Sequence, residues 1–268
     1  MFKTSETMTR NIHGQIADRI GSGIVRGDVA PGELLPSEMR ICELWNVSRT
    51  VVREAIRTLT GKRLVLSRAK SGTRVRPPEE WNWLDQDVLR WQMETSDVDS
   101  YLAKLFQLRC AVEPAAAALA AVAAGPLDVA RIRAGYDGMV AAKSDEDFVI
   151  ADIIFHESIY FATRNEFFWP IAQMLKHTLR KNFTISSGGD HRPRAFVEHR
   201  AILETIAAGD GDAARAAAII LLAHSIADVA RMRDSGVATD PPPPQLTRAR
   251  RSQGRIPPAI SSRGMPSD

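Results

Sequence analysis

The sequence predicts a mainly α-helical protein with a small basic head and a larger helical body. Three observations support this fold class. Apolar residues recur at helical spacing along most of the chain up to residue 233. Pro77 and Pro78 interrupt that pattern. The charge also changes sign there, because residues 1–78 hold fourteen Lys and Arg against seven Asp and Glu, whereas residues 79–233 hold sixteen against twenty-two.

These features divide the chain into three predicted segments. Residues 1–78 form the head, whose excess of positive charge favours a polyanionic partner. Residues 79–233 form the body, an all-α bundle rich in alanine, as in "EPAAAALAAVAA". Residues 234–268 are rich in Pro, Ser and Arg and have few large apolar residues. We expect this tail to be disordered, because it buries too little apolar surface to offset the entropy of ordering.

The composition excludes several classes of protein. Cys42 and Cys110 lie far apart in helical, largely apolar stretches, so neither a disulfide framework nor a cysteine-rich metal site is expected. The N-terminal "MFKTSETMTR" lacks the apolar centre of a signal peptide. No uninterrupted apolar run approaches the roughly 20 residues that span a bilayer. We therefore expect a cytoplasmic protein without a membrane partner.

The head contains two short predicted helices separated by a tight break at Asn46. Ser48 is a favourable N-cap for the second helix. Val52, Ile56 and Leu59 form its apolar stripe. The opposite face then carries the side chains Arg49, Thr50, Arg53 and Arg57. Two helices joined in this way form a helix-turn-helix, whose second helix lies in the major groove of DNA.

A predicted β-hairpin with Lys70 and Gly72 in its turn follows the helix-turn-helix as a basic wing. An earlier helix supplies Ile16, Ile20 and Ile24 to the core of the head. Arginine suits a reading helix because its guanidinium bonds guanine through two nitrogens. Phosphate contacts from neighbouring polar residues fix the register. A solvated helix without a partner is the alternative interpretation.

The span 35–75 resembles the winged helix-turn-helix of GntR-family transcription regulators. The shared motifs are "PSE" at 36–38, "VSRT" at 47–50 and "REA" at 53–55. The resemblance implies DNA contacts by Arg49, Thr50 and Arg53, with Ser48 and Arg57 beside them and Lys70 and Gly72 on the wing. Met39 stands where the family often has arginine, and Arg40 is the neighbouring candidate to substitute for it.

Four polar residues of the body face inward by helical spacing. Asp152 and His156 are four residues apart in "ADIIFHESIY", between Phe148 and Ile159. His199 and His224 each share a face with apolar neighbours on later helices. A buried carboxylate without a partner is costly, and a divalent cation with three imidazoles would satisfy it. Three nitrogens and one oxygen suit Zn²⁺ and also admit Ni²⁺, Mn²⁺ or Fe²⁺. A plain Asp–His hydrogen bond is the alternative.

Residues 82–233 resemble the FCD domain of FadR-type GntR regulators. The resemblance rests on the Asp-x-x-x-His helix, on Glu198-His199 and on the final His224. It implies a bound metal ion with a small carboxylate effector beside it. Arg109, four residues before Glu113, is the candidate for the effector carboxylate, and a structural salt bridge is its alternative role. The stretch "WNWLDQDVLRW" (81–91) also resembles galactonate-type sugar-acid regulators.

Two other functions remain as alternatives. "HESIY" begins like the His-Glu-x-x-His motif of metal-dependent hydrolases, but Tyr160 replaces the second histidine and no other motif supplies a base. A repressor whose bundle only dimerises, without metal or effector, is the second. The interpretation that we favour is a homodimeric regulator that represses transcription until the acid binds, with activation as the alternative. It binds a pseudo-palindromic double-stranded operator and responds to a small organic acid, for which a sugar acid is the first candidate.

Overall fold

The computed structural model describes residues 7–176 and 192–234. The elements of the head are α1 (Thr7–Arg26), α2 (Glu38–Trp45), α3 (Arg49–Gly61), β1 (Val65–Arg68), β2 (Gly72–Val75) and a 3-10 helix (Pro78–Glu80). Those of the body are α4 (Gln86–Thr95), α5 (Val98–Ala123), α6 (Pro126–Ala141), α7 (Asp145–Ala162), α8 (169–176), α9 (Arg192–Ala207) and α10 (Gly211–Asp234). This order confirms the predicted fold class.

Side-chain caps define the helix-turn-helix. The hydroxyl of Ser37 accepts a hydrogen bond from the N–H of Arg40 at 3.2 Å, and Ser48 accepts one from Val51 at 3.4 Å. Both serines therefore satisfy a backbone donor that a helix start leaves free. Asn46 ends α2 with φ of 50°, in the left-handed region that asparagine tolerates. The predicted break at Asn46 and the predicted N-cap at Ser48 are confirmed.

The predicted apolar stripes of α1 and α3 form the centre of the head. All six of their side chains are buried: Ile16, Ile20, Ile24, Val52, Ile56 and Leu59. The wing follows α3 as an antiparallel pair in which Val65 lies opposite Val75. Lys70 and Gly72 take positive φ at its turn and are exposed. The turn of the wing is therefore open to solvent.

The segment 81–91 packs with the head. The indole of Trp91 is 1% exposed and donates a hydrogen bond to Asp18 of α1 at 2.8 Å. Lys62, at the end of α3, contacts the carboxylate of Asp85 at 2.8 Å. Leu89, on the other side of α4, joins the core of the body. Helix α4 therefore touches both cores, and the predicted domain boundary at residue 78 stays a prediction.

The body is a bundle in which α7 lies close to α6. A Cβ atom on Gly135 of α6 would lie 2.7 Å from the backbone of Phe155, so only glycine permits this approach. Helix α7 is consequently surrounded by other helices. Ten of its eighteen residues are buried, Asp152 and His156 among them. The bundle thus places the polar pair of "ADIIFHESIY" in an apolar interior.

Two bundle helices carry more apolar surface than the bundle covers. By length and composition, Asp99–Ala123 and Gly211–Arg231 could each cross a membrane. In α10 only 22% of the most apolar window is buried. Ile219 and Ile220 are each 52% exposed, and Ala216, Ala223 and Ile226 are exposed on the same side. We call these five residues the α10 apolar face. An exposed apolar face of this kind often binds another chain.

The predicted tail, apart from Asp234, lies outside the described residues.

The packing of Trp91 on α1 gives a stability test. A Cβ atom at Gly21 would lie 2.3 Å from the Trp91 ring, which its hydrogen bond to Asp18 holds in place. We expect Gly21→Ala to lower the free energy of unfolding of the head by about 1–3 kcal/mol through overpacking. Gly14, in the same helix, has no atom within 4 Å of its Cβ position. Gly14→Ala is the control and should raise stability by about 0.5–1 kcal/mol. Urea titration followed by Trp fluorescence measures both, and equal effects would contradict the packing.

Candidate metal centre and candidate DNA interface

Three of the predicted metal ligands meet in the core of the body. Asp152 and His156 come from α7 and His199 from α9, and one ligand atom of each lies within 4.8 Å of the others. His199 Nε2 is 2.9 Å and His156 Nε2 is 3.7 Å from Asp152 Oδ1. All three side chains are buried, with Asp152 only 1% exposed. The spacing of "DIIFH" produces this arrangement, because residues four apart share one helix face.

The hydrogen bonding of His199 defines which of its ring nitrogens faces the carboxylate. Its Nδ1 lies 2.7 Å from the carbonyl oxygen of Ala195, one turn earlier in α9. A carbonyl can only accept, so Nδ1 carries a proton and donates it. In the neutral ring Nε2 then carries no proton, and its lone pair points towards Oδ1 of Asp152. Two lone pairs repel at this distance, so a proton or a cation belongs between them.

Burial and the neighbouring charges shift the pKa values of Asp152, His156 and His199. For Asp152, burial opposes ionisation, but His156, His199 and Arg109 outweigh it and lower the pKa of the carboxyl. Burial dominates at His156 and lowers the pKa of its imidazole, although Asp152 and Glu113 oppose it. At His199 burial also acts to lower the pKa, but the contact with Asp152 prevails and raises it. His199 is therefore the ring that carries the balancing proton when no cation is present.

Four buried polar atoms around the cluster form no hydrogen bond in the described part of the chain. They are Asp152 Oδ2, His199 Nε2, Tyr160 Oη and Arg109 Nη2. Buried polar atoms nearly always have a partner, so these atoms are the candidates for binding a ligand. A carboxylate oxygen and an imidazole nitrogen suit a divalent cation. A guanidinium N–H and a phenol suit an anion beside it. The residues present therefore fit a metal ion with a carboxylate next to it.

A buried chain of charges links Arg109 to this cluster. The guanidinium Nε of Arg109 donates to Glu113 Oε1 at 2.6 Å, and Glu113 Oε2 is 3.4 Å from His156 Nδ1. Arg109 is 1% exposed and lies over the ring of Phe106. The salt bridge given above as the alternative role of Arg109 is thus formed. Because Nη2 stays unpaired, a second contact for this guanidinium remains open.

A small cavity lies beside Glu113, His156 and Tyr160. Its volume is about 10 Å³, which is room for about one water molecule. A carboxylic acid would therefore require the surrounding helices to move apart. The lining residues come from α5, α7, α9 and α10: Glu113, Ala116, Ala117, His156, Ile159, Tyr160, Ile202, Ala218 and Leu221.

His224 does not join the three-residue group. Its side chain is 45% exposed, and Nδ1 instead contacts Glu198 Oε1 of α9. The expectation that His224 points into the bundle is therefore corrected. Helix α10 packs through Ala214, Ala218, Leu221 and Leu222, and position 224 falls at the margin of that face. The contact with Glu198 leaves Nε2 as the nitrogen available for another partner.

The predicted DNA-reading residues are all exposed on the head. They are Ser48, Arg49, Thr50, Arg53 and Arg57 of the α3 region, Arg40 of α2, and Lys70 and Gly72 of the wing. Nε of Arg53 is 3.4 Å from Glu38 and the side chain is 72% exposed. Arg40 is bonded to Glu43 within its own helix. These weak surface pairs can be exchanged for contacts with DNA phosphates and bases.

Sequence reasoning missed two residues of the site. Tyr160 is four residues after His156, so helical spacing alone could have placed its hydroxyl beside the metal ligands. Glu113 was recognised only as a neighbour of Arg109. Its approach to His156 joins α5 to α7, and no local pattern reports such a contact.

Comparison with known proteins points to one class of regulator. Residues 12–75 match a family described as bacterial regulatory proteins, gntR family, and residues 104–224 match the FCD domain. The galactonate operon transcriptional repressor of Escherichia coli (strain K12) is 35% identical over 81% of this chain and 96% of its own length. The HTH-type transcriptional regulator LutR of Bacillus subtilis (strain 168) is 30% identical over 75% of this chain and 92% of its own.

One solved structure supports the fold. It is the Lar protein, described as controlling expression of the Listeria monocytogenes agr system. It superposes with a TM-score of 0.57 at 21% identity, covering 86% of this chain and 99% of its own.

The buried pair Arg109–Glu113 gives a test of the electrostatics of the site. We expect Glu113→Gln to lower the free energy of unfolding of the body by about 3–5 kcal/mol, because it leaves the buried guanidinium without its counter-charge. Arg200 and Glu204 have the same spacing but are 62% and 66% exposed. Glu204→Gln is the control and should change stability by less than about 1 kcal/mol. Urea unfolding followed by circular dichroism measures both. A loss at Glu113 no larger than at Glu204 would show that the buried pair is not needed.

Proposed function

The chain belongs to the gntR family of bacterial regulatory proteins and carries an FCD domain, and on this premise we propose a repressor controlled by a small organic acid bound beside a metal ion. It is a DNA-binding transcription regulator, and its relatives are regulators, not enzymes. The hydrolase alternative drawn from "HESIY" therefore falls. The observation that carries the acid-and-metal proposal is a set of three buried polar atoms without a hydrogen bond, Asp152 Oδ2, Tyr160 Oη and Arg109 Nη2, beside the 2.9 Å approach of His199 Nε2 to Asp152.

In the proposal, α3 enters the major groove with Arg49 and Thr50 at base edges. Arg53 lies one turn further along the same face, and Arg40, Arg57 and Lys70 contact the phosphates beside it. One such helix reads few bases, so we propose that a homodimer reads a pseudo-palindrome. The α10 apolar face supports this, because a monomer would leave it in water.

We propose that Asp152, His156 and His199 hold the metal ion, with His224 as a fourth ligand. The contact between Glu198 and His224 Nδ1 favours this, since a carboxylate on one imidazole nitrogen commonly orients the other towards a metal. Zn²⁺ suits the donors best, and Ni²⁺, Mn²⁺ and Fe²⁺ also fit them. When bound, the ion supplies a fixed positive charge that attracts a carboxylate. His199 gives up its proton on binding, so proton and metal compete for this site.

The proposed effector carboxylate lies against Arg109 Nη2, with the hydroxyl of Tyr160 as a second donor. Burial and the neighbouring Glu113 raise the pKa of Tyr160, so the phenol stays neutral and can donate. A relative with 35% identity is named for the galactonate operon. A sugar acid is therefore the first class to test, and the several hydroxyls of such a molecule suit a polar site.

The acid must favour one arrangement of the heads over another in order to control DNA binding. Helix α4 is the proposed connection, because Val88 and Trp91 belong to the head core and Leu89 belongs to the body core. An acid too large for the cavity would displace α5, whose Leu102 and Leu105 belong to the same apolar core as Leu89. The heads would then turn away from their half-sites, and repression would be relieved.

A metal-free body that only dimerises is the second candidate. The ion pair between protonated His199 and Asp152 would then balance the buried charge without a metal. It would leave Arg109 Nη2 and Tyr160 Oη unexplained, so we prefer the first candidate.

The content of metal separates the two candidates. We expect protein purified without chelator to hold about one ion per chain and His199→Ala to hold far less, because the variant lacks a ligand. At free metal one hundred times the dissociation constant, the ion should add about 2.7 kcal/mol of stability, which a chelator would remove. His13→Ala, a histidine of α1 in the head, is the control. Elemental analysis and thermal unfolding provide the readouts. Equal metal content in the two variants would rule out the site.

The predicted DNA contacts of α3 are tested by replacing Arg53 and, as a control, an exposed arginine of the body. We expect Arg53→Ala to weaken specific operator binding by about 1–3 kcal/mol and to relax base preference at one position of each half-site. Arg200, an exposed arginine of α9 in the body, is 62% exposed and serves as the control. Its change to alanine should leave binding unaltered. Binding to a randomised operator library at fixed salt measures affinity and preference together. If the base preference of Arg53→Ala is unchanged, the proposed placement of α3 in the major groove is wrong.

A further inference from the structure

An apolar side chain interrupts the polar reading surface of the head. Met39, in the first turn of α2, is 56% exposed although its neighbours on this surface are charged or polar. Its sulfur accepts a hydrogen bond from Nη2 of Arg49 at 3.6 Å. The adjacent Glu38 lies 3.4 Å from Arg53 in the same way. The first turn of α2 therefore contacts both Arg49 and Arg53 of α3.

The contact between Met39 and Arg49 leaves most of the guanidinium free. A thioether is a weak acceptor, so little is lost when Arg49 turns to a base. With α3 placed in the groove as proposed, the contact of Met39 with Arg49 would bring the methionine close to the base that Arg49 reads. The exposure of Met39 also shows that it contributes little to the core of the head, which is built from other residues. A role in packing therefore does not account for an exposed methionine at this position.

The major groove offers one apolar feature at base edges, the 5-methyl group of thymine. Methionine is flexible and polarisable and suits contact with such a group. We propose that Met39 is a specificity-determining residue, which selects a thymine next to the base contacted by Arg49 in each half-site. This inference rests on the proposed placement of α3 in the major groove. It adds a base position that arginine contacts alone would leave unread.

Deoxyuridine provides the test, because it differs from thymidine in DNA only by the missing methyl group. Operators are first selected from a random library with the full-length protein, and each thymine of a half-site is then replaced by deoxyuridine in turn. We expect one position at which the replacement weakens binding about fourfold, the factor for burial of one methyl group. In Met39→Ala the same replacement should have no effect.

A matched variant controls for general effects on α2. Leu44 is also an exposed apolar residue of this helix, at 52%, and Leu44→Ala should keep the fourfold sensitivity. Met39→Leu, which remains apolar, should keep it in part, and provides a second readout should Met39→Ala bind too weakly for comparison. The ratio of thymine to deoxyuridine affinity is measured within each variant, so differences in overall affinity cancel.

Several results would overturn the inference. If no thymine position is sensitive in the wild type, or if Met39→Ala keeps the sensitivity, Met39 does not read a methyl group. In either case sequence-selective binding itself survives, and so does the proposed function. If the full-length protein selects no sequence at all, the placement of α3 in the groove fails and the inference fails with it.

Discussion

The interior of the body is organised around one ionised carboxylate. Asp152 is 1% exposed and keeps a lowered pKa among Phe148, Phe155 and Ile159. An isolated charge in such surroundings would cost many kcal/mol, so the helices around it must bring compensating groups. His156 comes from the same helix, His199 from α9, and Arg109 with Glu113 from α5. The packing of α5, α7 and α9 around Asp152 thus supplies the groups that compensate its charge.

This constraint connects the site with the rest of the chain. The helices that supply the compensating groups also line the cavity, so whatever occupies the cavity must act on their separation. Helix α5 follows α4 directly in the chain. In α4, Trp91 packs in the core of the head and donates a hydrogen bond to Asp18 of α1. A change of spacing in the bundle therefore has a short covalent route to the reading surface. In our account, sensing and DNA binding are coupled by helix packing, without a separate hinge.

Much of the fold could be predicted from the sequence, because its signals are local. The stripes Val52–Ile56–Leu59 and Ile16–Ile20–Ile24 and the cap at Ser48 follow from helical spacing and backbone chemistry. The inward positions of Asp152, His156 and His199 follow for the same reason. His224 differed because spacing gives the face of a helix but not its rotation against neighbours, and α10 turns this residue to its margin. The contacts of Glu113 with His156 and of Trp91 with Gly21 join distant parts of the chain, which no local pattern reports.

We propose that a cation lies between Asp152 and the imidazoles of the body. X-ray absorption at the edge of the metal in the purified protein tests it most directly, because imidazole rings give a characteristic multiple-scattering signal. We predict a first shell of nitrogen and oxygen without sulfur, with outer-shell scattering from at least two imidazoles. A spectrum of a hydrated ion, or one dominated by sulfur, would contradict the account.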